Sequence, residues 1–504
     1  MIFMNVGKNK YLWVILALIM LLVNGQWLMV NGQHSVRLDL NRTIQLATDS
    51  SYAVKKYQSV YDASLFNYLS WQASRKVQVS LEAVPLEYER TMTRRYISQD
   101  DVDVYREQQM LYSQAGIQAT QPMESRGGSF YGSTQLGYLR TFGAYNGTQF
   151  MTIPISIGYK QDLLGFNALK WNKKIEPVKL ALAEKMLAYN TESTSLEAVS
   201  KFFALALAQD QLRMSEEYLA SCDTIYSIAE RRYRIASISK AELSILELEK
   251  TNAHNTLANA RIARKKAMQE LASFLGMERG TEIELIIPST LANIQISADD
   301  AIGYARENNP QYLSAQQQTL EAQRDAERAR VEKNLSMSID ASVGLNQVAD
   351  NFADAYRRPY SQDMATVRLS IPIKDWGKRK NAYQAARSMV DAAEQSALET
   401  ARVTELDVLT SVSEFNERQA IVETSRRALT IAEDAYTATL QRFIRAQANV
   451  NDLSLAQTHW QTARQNQIAS LQHYWMSYYH LRCITLYDYQ KHEVIRHASQ
   501  QAGR

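Results

Sequence analysis

Few residues in this 504-residue chain have the types and spacing that catalysis or metal binding requires. A zinc hydrolase needs two histidines at i and i+4 on one helical face, with a glutamate between them as base. His492-Glu493-Val-Ile-Arg-His497 places its second histidine at i+5, off that shared face. Gly127-Gly128-Ser-Phe-Tyr-Gly132 has neither the Lys-Ser/Thr pair of a phosphate loop nor the pattern of a nucleophile elbow. Cys222 and Cys483 are far apart and lack a CxxC partner, which argues against a disulfide framework and a thiolate metal site. His254, His459, His473 and His480 are scattered over helical patterns. The sequence therefore points to no catalytic centre, no metal and no cofactor. Two acids stand out, Asp452 and Glu242, at equivalent places just past two chain reversals. Carboxylates there can line a narrow pore end and favour cations, or complement the dipole at a helix N-terminus. The residues alone leave both readings open.

The elements that would position these acids are unusually long. Only 18 Gly and 8 Pro punctuate the chain, so long uninterrupted elements are expected. Helical patterns run over 166–234 and 378–445, each roughly 100 Å at about 1.5 Å per residue. Their apolar stripes, such as Leu180, Ala183, Leu187 and Ala198, Phe202, Leu205, are rich in small residues. That suits side-by-side coiled-coil packing better than a globular core. Each long helix ends in a turn, with Tyr233, Ala236 and Leu243 aligned to Phe443, Ala446 and Leu453 at an offset of 210. These six residues are candidates for docking a partner's hairpin, or simply reverse the chain. Return helices are expected over 241–275 and 450–487.

Ahead of each long helix the period changes from helical to two. Leu335, Met337, Ile339, Ala341, Val343 and Leu345 alternate with polar residues or Gly, and Ala365, Val367, Leu369, Ile371 and Ile373 repeat the pattern. The first half offers Val77, Val79, Leu81 and Ala83, slipping near Pro85, then Met151, Ile153, Ile155, Ile157 and Tyr159. Period two gives a strand two unlike faces, and about nine to eleven tilted residues cross a bilayer. Ile153, Ile155, Ile157, Val343, Val367 and Leu369 are the expected lipid-facing set, with Ser156, Ser338, Asp340, Arg368 and Ser370 facing water. Tyr145, Tyr159, Tyr356 and Tyr360 are candidates for an interfacial aromatic girdle. The polar, Tyr-rich stretch 87–146 reads as a long loop, with a weak strand signal around 130–139.

The plan occurs twice. Asp39, Ile44 and Ala47 return as Ser297, Ile302 and Ala305 at an offset of 258, so the chain is expected to hold two structural repeats. The first repeat would span 33–278, with two strands around the long loop; a linker covers 279–295 and the second repeat 296–491. The tail 492–504 is polar. Residues 1–32 read as an export signal, with Lys8 and Lys10 before an apolar run. A retained membrane helix is the competing reading, disfavoured because no second apolar span follows. The net charge of +3 leaves no electrostatic footprint for nucleic acid. A mature chain without helical spans can enter a membrane only as β-structure, and open strand edges in lipid require several copies to close a barrel.

Leu369-Ser-Ile-Pro-Ile-Lys-Asp-Trp-Gly-Lys-Arg resembles the strand-to-helix junction of the TolC-like outer membrane efflux protein family, and Asp299-Asp-Ala-Ile with Glu307-Asn-Asn-Pro310 resembles its repeat opening. The resemblance covers nearly the whole chain beyond the signal. It implies a mixed α and β fold, a long-helix coiled-coil α-barrel joined to a transmembrane β-barrel that closes only in a homotrimer. Each chain would give four strands to a twelve-stranded barrel. It further implies an outer-membrane location with the helices in the periplasm, and a passive exit duct for efflux or type I secretion. A periplasmic adaptor and, through it, an inner-membrane pump would open the duct. The family commonly has Gly where Ala236 and Ala446 stand, and often a second acid where Leu455 stands. The sequence thus departs from the family's pattern at the adaptor-docking turns and in the double acidic ring. The competing functions are a non-conducting structural or adhesive coiled-coil protein of the envelope and a secreted enzyme.

Overall fold

The computed structural model describes residues 35–496 apart from 98–101, 144–145, 237, 279, 289–290, 292–293 and 446. The expected signal at 1–32, Tyr145, Ala446 and His497 lie outside the described residues. In chain order come β1 (Ser35–Asp39), α1 (Leu40–Ser50), α2 (Tyr52–Ser74), β2 (Gln78–Ile97), β3 (Val102–Pro122), β4 (Ser129–Phe142), β5 (Gly147–Asp162), α3 (Ala168–Arg234) and α4 (Lys240–Phe274). Then follow β6 (Glu282–Ile286), α5 (Ala298–Asn308), α6 (Pro310–Glu332), β7 (Ser336–Ala349), β8 (Tyr360–Ser370), α7 (Lys378–Ile444), α8 (Val450–Thr485), β9 (Tyr487–Asp488) and β10 (Glu493–Val494). Both α3 and α7 are 67 residues long, within two residues of the spans their periodicity predicts. Among the described residues no helix is long and apolar enough to cross a membrane.

Two compact units are distinguished. The first gathers the described part of Met1–Lys56 with Asn190–Ala298 and Thr410–Val494. Its parallel pair β1–β6 was not expected, since the sequence reading put a linker at 279–295. Five residues per strand are too few for a periodicity to show against that polar background. Leu38 and Ile283 from this pair join Ala47, Ala198, Leu205, Leu271 and Leu275 in one buried cluster. Asp39 caps α1 as expected, its carboxylate accepting from the Arg42 amide at 2.7 Å.

The second unit comprises Tyr57–Tyr189, Asp299–Leu409 and the described part of Ile495–Arg504. It contains one six-stranded antiparallel sheet of order β2-β3-β4-β5-β7-β8. This corrects two expectations at once. The stretch 87–146 is not a long loop, because the end of β2, all of β3 and β4 occupy it. The first half therefore supplies four strands to this sheet rather than two, and the chain six rather than four among the described residues. Strands β2 and β3, of 20 and 21 residues, escape a simple alternation count because a bulge shifts their register between Val84 and Glu87. Pro85 sits within that bulge, where a missing N–H is tolerated. Strand β8 ends at Ser370, so Ile371 and Ile373 fall beyond it.

Candidate functional site

The sheet has two chemically distinct faces, and its registers show this row by row. Ser80 pairs with Gln118, Gln118 with Ser133, Ser133 with Ser156, Ser156 with Gly344, and Gly344 with Gln362. Every residue of that row is polar or glycine. One residue away, on the opposite face, Val79 pairs with Ala119, then come Gly132, Ile157 and Val343. On the polar face the Tyr131 hydroxyl donates to Asp340 Oδ1 at 2.8 Å. Gln114 Oε1 accepts from the Tyr112 hydroxyl at 2.7 Å and from Gln135 Nε2 at 2.6 Å. The Gln135–Gln114 bond joins β4 to β3, and the Tyr131–Asp340 bond reaches across β5 from β4 to β7.

The apolar face is uncovered over much of its extent. Ile155, Ile157, Val343, Val367 and Leu369 are each at least half exposed, and an apolar patch of this kind marks a surface that meets a membrane or another protein. Ile153 departs from this set. A register shift between Thr152 and Ile155 inserts an extra residue, and Ile153 pairs with Gln135 on the polar side. A one-residue slip turns a side chain to the other face, which the simple count of odd positions missed. Aromatic residues flank the apolar band at both ends. Phe130 and Tyr159 lie 4.8 Å apart near the strand ends that lead into α3. At the opposite ends Tyr138, Phe150, Phe352 and Tyr356 contact in sequence at 5.4 to 5.9 Å. The span from Tyr159 to Phe150 is roughly 30 Å along the strand at about 3.3 Å per residue, or about 23 Å in height for a strand tilted by about 40°, close to the apolar band of a membrane barrel. Tyr360, also expected in the girdle, opens β8 and is exposed.

In the first unit, the two helix reversals pack against each other. Ile225, Ala229 and Leu246 around the α3–α4 turn meet Phe443 and Leu453 around the α7–α8 turn in one buried cluster, with Leu243 against it. The Arg232 guanidinium lies over the Phe443 ring at 5.7 Å. Of the expected turn residues, Tyr233 and Ala236 are exposed, whereas Phe443 and Leu453 are buried. Ala236 has φ 52°, the left-handed conformation that glycine adopts without strain.

Glu242 and Asp452 both sit at the third position of a helix and both complete a capping box. Glu242 accepts from the Ser239 amide at 2.8 Å, and its own amide donates to the Ser239 hydroxyl at 3.2 Å. The Ser239 amide, and then the Ser239 hydroxyl, hold the Glu242 carboxyl below the usual range. The Asp452 amide donates to Asn449 Oδ1 at 2.8 Å, and Asp452 Oδ2 accepts from the Asn449 amide at 3.3 Å. Both carboxylates are exposed, so the cap uses part of each group and leaves the charge open to solvent.

A buried ion cluster lies elsewhere in the same unit. Arg482 Nε and Nη2 donate to the two oxygens of Glu192 at 3.0 and 3.1 Å, and Nη1 reaches Asp488 at 3.0 Å. The Tyr478 hydroxyl donates to Asp488 at 2.9 Å. Burial pushes the Glu192 carboxyl up despite Arg482. For Asp488 burial acts in the same direction, but the Arg482 charge, Tyr478 and two backbone amides outweigh it and bring the carboxyl down. A second pair joins Arg464 to Asp210 at 2.8 Å. The sequence reading passed over both pairs, although Arg482 is a lone charge within the apolar run from Tyr478 to Ile484. Among the described residues no group of His, Cys, Asp and Glu could hold a metal ion.

The two-faced sheet with its exposed apolar band and the two 67-residue helices together define the fold. Known structures agree on the fold. The Campylobacter jejuni CmeC outer membrane channel matches with a TM-score of 0.66 at 12% identity, covering 92% of this chain and 88% of that one. The open state of the Neisseria gonorrhoeae MtrE outer membrane channel matches with a TM-score of 0.60 at 12% identity, covering 88% of each. In sequence, residues 301–483 match the model of the outer membrane efflux protein family. Protein CyaE of Bordetella pertussis is 26% identical over 276 residues, 54% of this chain and 57% of that protein. The alignment thus spans little more than half of that relative. Residues 301–483 thus carry the sequence pattern of the outer membrane efflux protein family, and the chain as a whole shares the fold of outer membrane channels.

Proposed function

We propose that the protein is a passive exit duct of a tripartite efflux or type I secretion system, assembled as a homotrimer. The reading rests on one observation above the others: an antiparallel sheet that is polar on one face and apolar on the other, with both edge strands open. Backbone groups on such edges cannot remain unpaired in lipid, so neighbouring copies must satisfy them. Three copies is the number that family resemblance supplies, and cyclic symmetry is the simple way to close the ring. The polar face then lines the lumen and the apolar face meets outer-membrane lipid. The similar order of elements in the two halves supports a two-repeat design.

In this reading the helices form a coiled-coil tunnel in the periplasm. The packed turns around Phe443 and Leu453 keep its entrance narrow, with Asp452 and Glu242 facing the passage. A periplasmic adaptor bound at the turns would shift these contacts and open it, energised by an inner-membrane pump. Tyr233 and Ala236, being exposed, are the turn residues best placed to meet an adaptor. No step uses a nucleotide or a cofactor in this chain.

The first test is the native mass of detergent-extracted protein, followed by conductance in a planar bilayer. A trimer that conducts is expected. A detergent-independent monomer would end the duct reading, and a trimer without conductance would favour a structural envelope protein.

A further inference from the structure

We infer that this chain contributes six strands to the barrel wall, with the free edge of β2 pairing to the free edge of β8 on a second copy. A closed trimer would then have 18 strands. The inference rests on the trimeric reading above but concerns the strand count, which that reading leaves open.

Three observations carry it. First, β2 and β3 share the transmembrane level of the other strands: the pairs Gln78↔Thr120 to Arg90↔Gln109 lie beside the β3–β4 pairs Gln109↔Phe142 to Thr120↔Tyr131. The hairpin extends the sheet sideways as well as upward. Second, the polarity of the faces continues through them without a break. The polar row runs from Ser80 and Gln118 into Ser133 and Ser156, while Val79, Leu81 and Ile117 stand on the apolar side, 68%, 72% and 48% exposed. A hairpin packed outside the membrane would have no reason to keep that alternation in register with its neighbours. Third, six is an even number. In an antiparallel sheet of order β2-β3-β4-β5-β7-β8, the two edge strands run in opposite directions. Placing β8 of one copy beside β2 of the next therefore continues the antiparallel pattern around the ring. All of β8 is exposed, as an edge awaiting a neighbour would be.

Barrel diameter grows about linearly with strand number. With strands about 4.8 Å apart and tilted about 40°, 18 strands enclose about 36 Å between backbone walls, against about 24 Å for twelve. The membrane segment would then be half as wide again as a four-strand protomer makes it. Part of β2 and β3 also projects beyond β4, since Ile97↔Val102 to Thr91↔Gln108 have no β4 partner.

The test uses the full chain in outer membranes, with the buried Cys222 and Cys483 replaced by Ala. Single substitutions Val79→Cys and Ile117→Cys, and separately Ser80→Cys and Gln118→Cys, are probed with a charged maleimide and with a fluorophore read against a lipid-borne quencher. The expected result is that Ser80→Cys and Gln118→Cys react about tenfold faster with the charged reagent, while dye at the other two is quenched from lipid. Equal reaction at all four overturns the inference, because the hairpin then lies in water. A second measurement locates the seam between copies. Leu81→Cys is paired with Ala365→Cys, Val367→Cys or Leu369→Cys, and Leu136→Cys on β4 with the same three. Intersubunit disulfides from Leu81 support 18 strands. Disulfides from Leu136 instead mean that β4 is the true edge and the barrel has twelve. Native mass is measured on the same samples, so a failure of trimerisation is separated from an error in strand number.

Discussion

Tyr131 reaches over strand β5 to donate its hydroxyl to Asp340 on β7, and Gly158 beneath it makes that path available. A Cβ at residue 158 would collide with the Tyr131 ring. The bond thus ties three strands together on the polar face, at a position where only glycine leaves room.

Replacing Gly158 by Ala should expel the ring and cost about 1–3 kcal/mol, the range for overpacking. Tyr131→Phe keeps the ring and loses only the hydrogen bond, about 1 kcal/mol. Thermal unfolding of the extracted protein measures both. Combining Gly158→Ala with Tyr131→Ala should recover most of the clash. Strict additivity of the two changes would show that the ring is not held where Gly158 allows it.

Arg482 is the shared cation of two buried carboxylates, Glu192 and Asp488. Arg482→Met removes the charge and leaves these acids facing each other, so a loss of about 3–5 kcal/mol is expected at pH 7. The pH dependence should change as well. In the native protein Asp488 has a lowered folded value, so its stabilisation is present above the ordinary carboxylate range and is lost as pH falls through that lowered value. Without Arg482, Glu192, already raised by burial, rises further, and protonation on going from pH 7 to pH 5 relieves the repulsion. The variant should melt higher at pH 5 than at pH 7. A melting temperature that falls between those values would show that Arg482 does not hold the pair in check.

Ala236 adopts φ 52° at the α3–α4 turn, with its amide donating to the Tyr233 carbonyl at 2.9 Å. Glycine takes that conformation without the Cβ penalty. Ala236→Gly should therefore stabilise the turn by about 1 kcal/mol, visible as a higher melting temperature or slower amide exchange around Tyr233. Unchanged exchange would mean the turn is not strained.

Much of the helical architecture was legible because each long helix repeats its pattern over many turns. Asp39, Lys378 and the reversals near Tyr233 and Phe443 fall within a residue or two of their expected places. The sheet was harder. The alternation at Ile155, Ile157, Val343 and Val367 survives in the structure, but local counting cannot see a bulge, and Ile153 changed faces because of one. Strands β2 and β3 are rich in Glu, Arg, Gln and Tyr, and their identity comes from pairing partners rather than from composition. The Glu192–Arg482 pair joins residues 290 apart, a relation that no local pattern encodes.

Asp452 remains the residue on which cap and pore readings meet, and a pair of substitutions can separate them. Asp452→Asn keeps a side-chain oxygen able to accept from the Asn449 amide, so the capping box survives while the charge goes. Asp452→Ala loses both. If the carboxylate faces the passage, both variants should move the reversal potential in a salt gradient toward zero by the same amount, and only Ala should lower the melting temperature. Glu242 offers a control from the same chemistry. Its carboxyl is held low by the Ser239 amide, so it stays charged at pH values where an ordinary glutamate is half neutral. Selectivity carried by Glu242 should then persist into that acidic range in the Asp452→Asn background. Reversal potentials that both Asp452 variants leave unchanged would assign this residue to the cap alone.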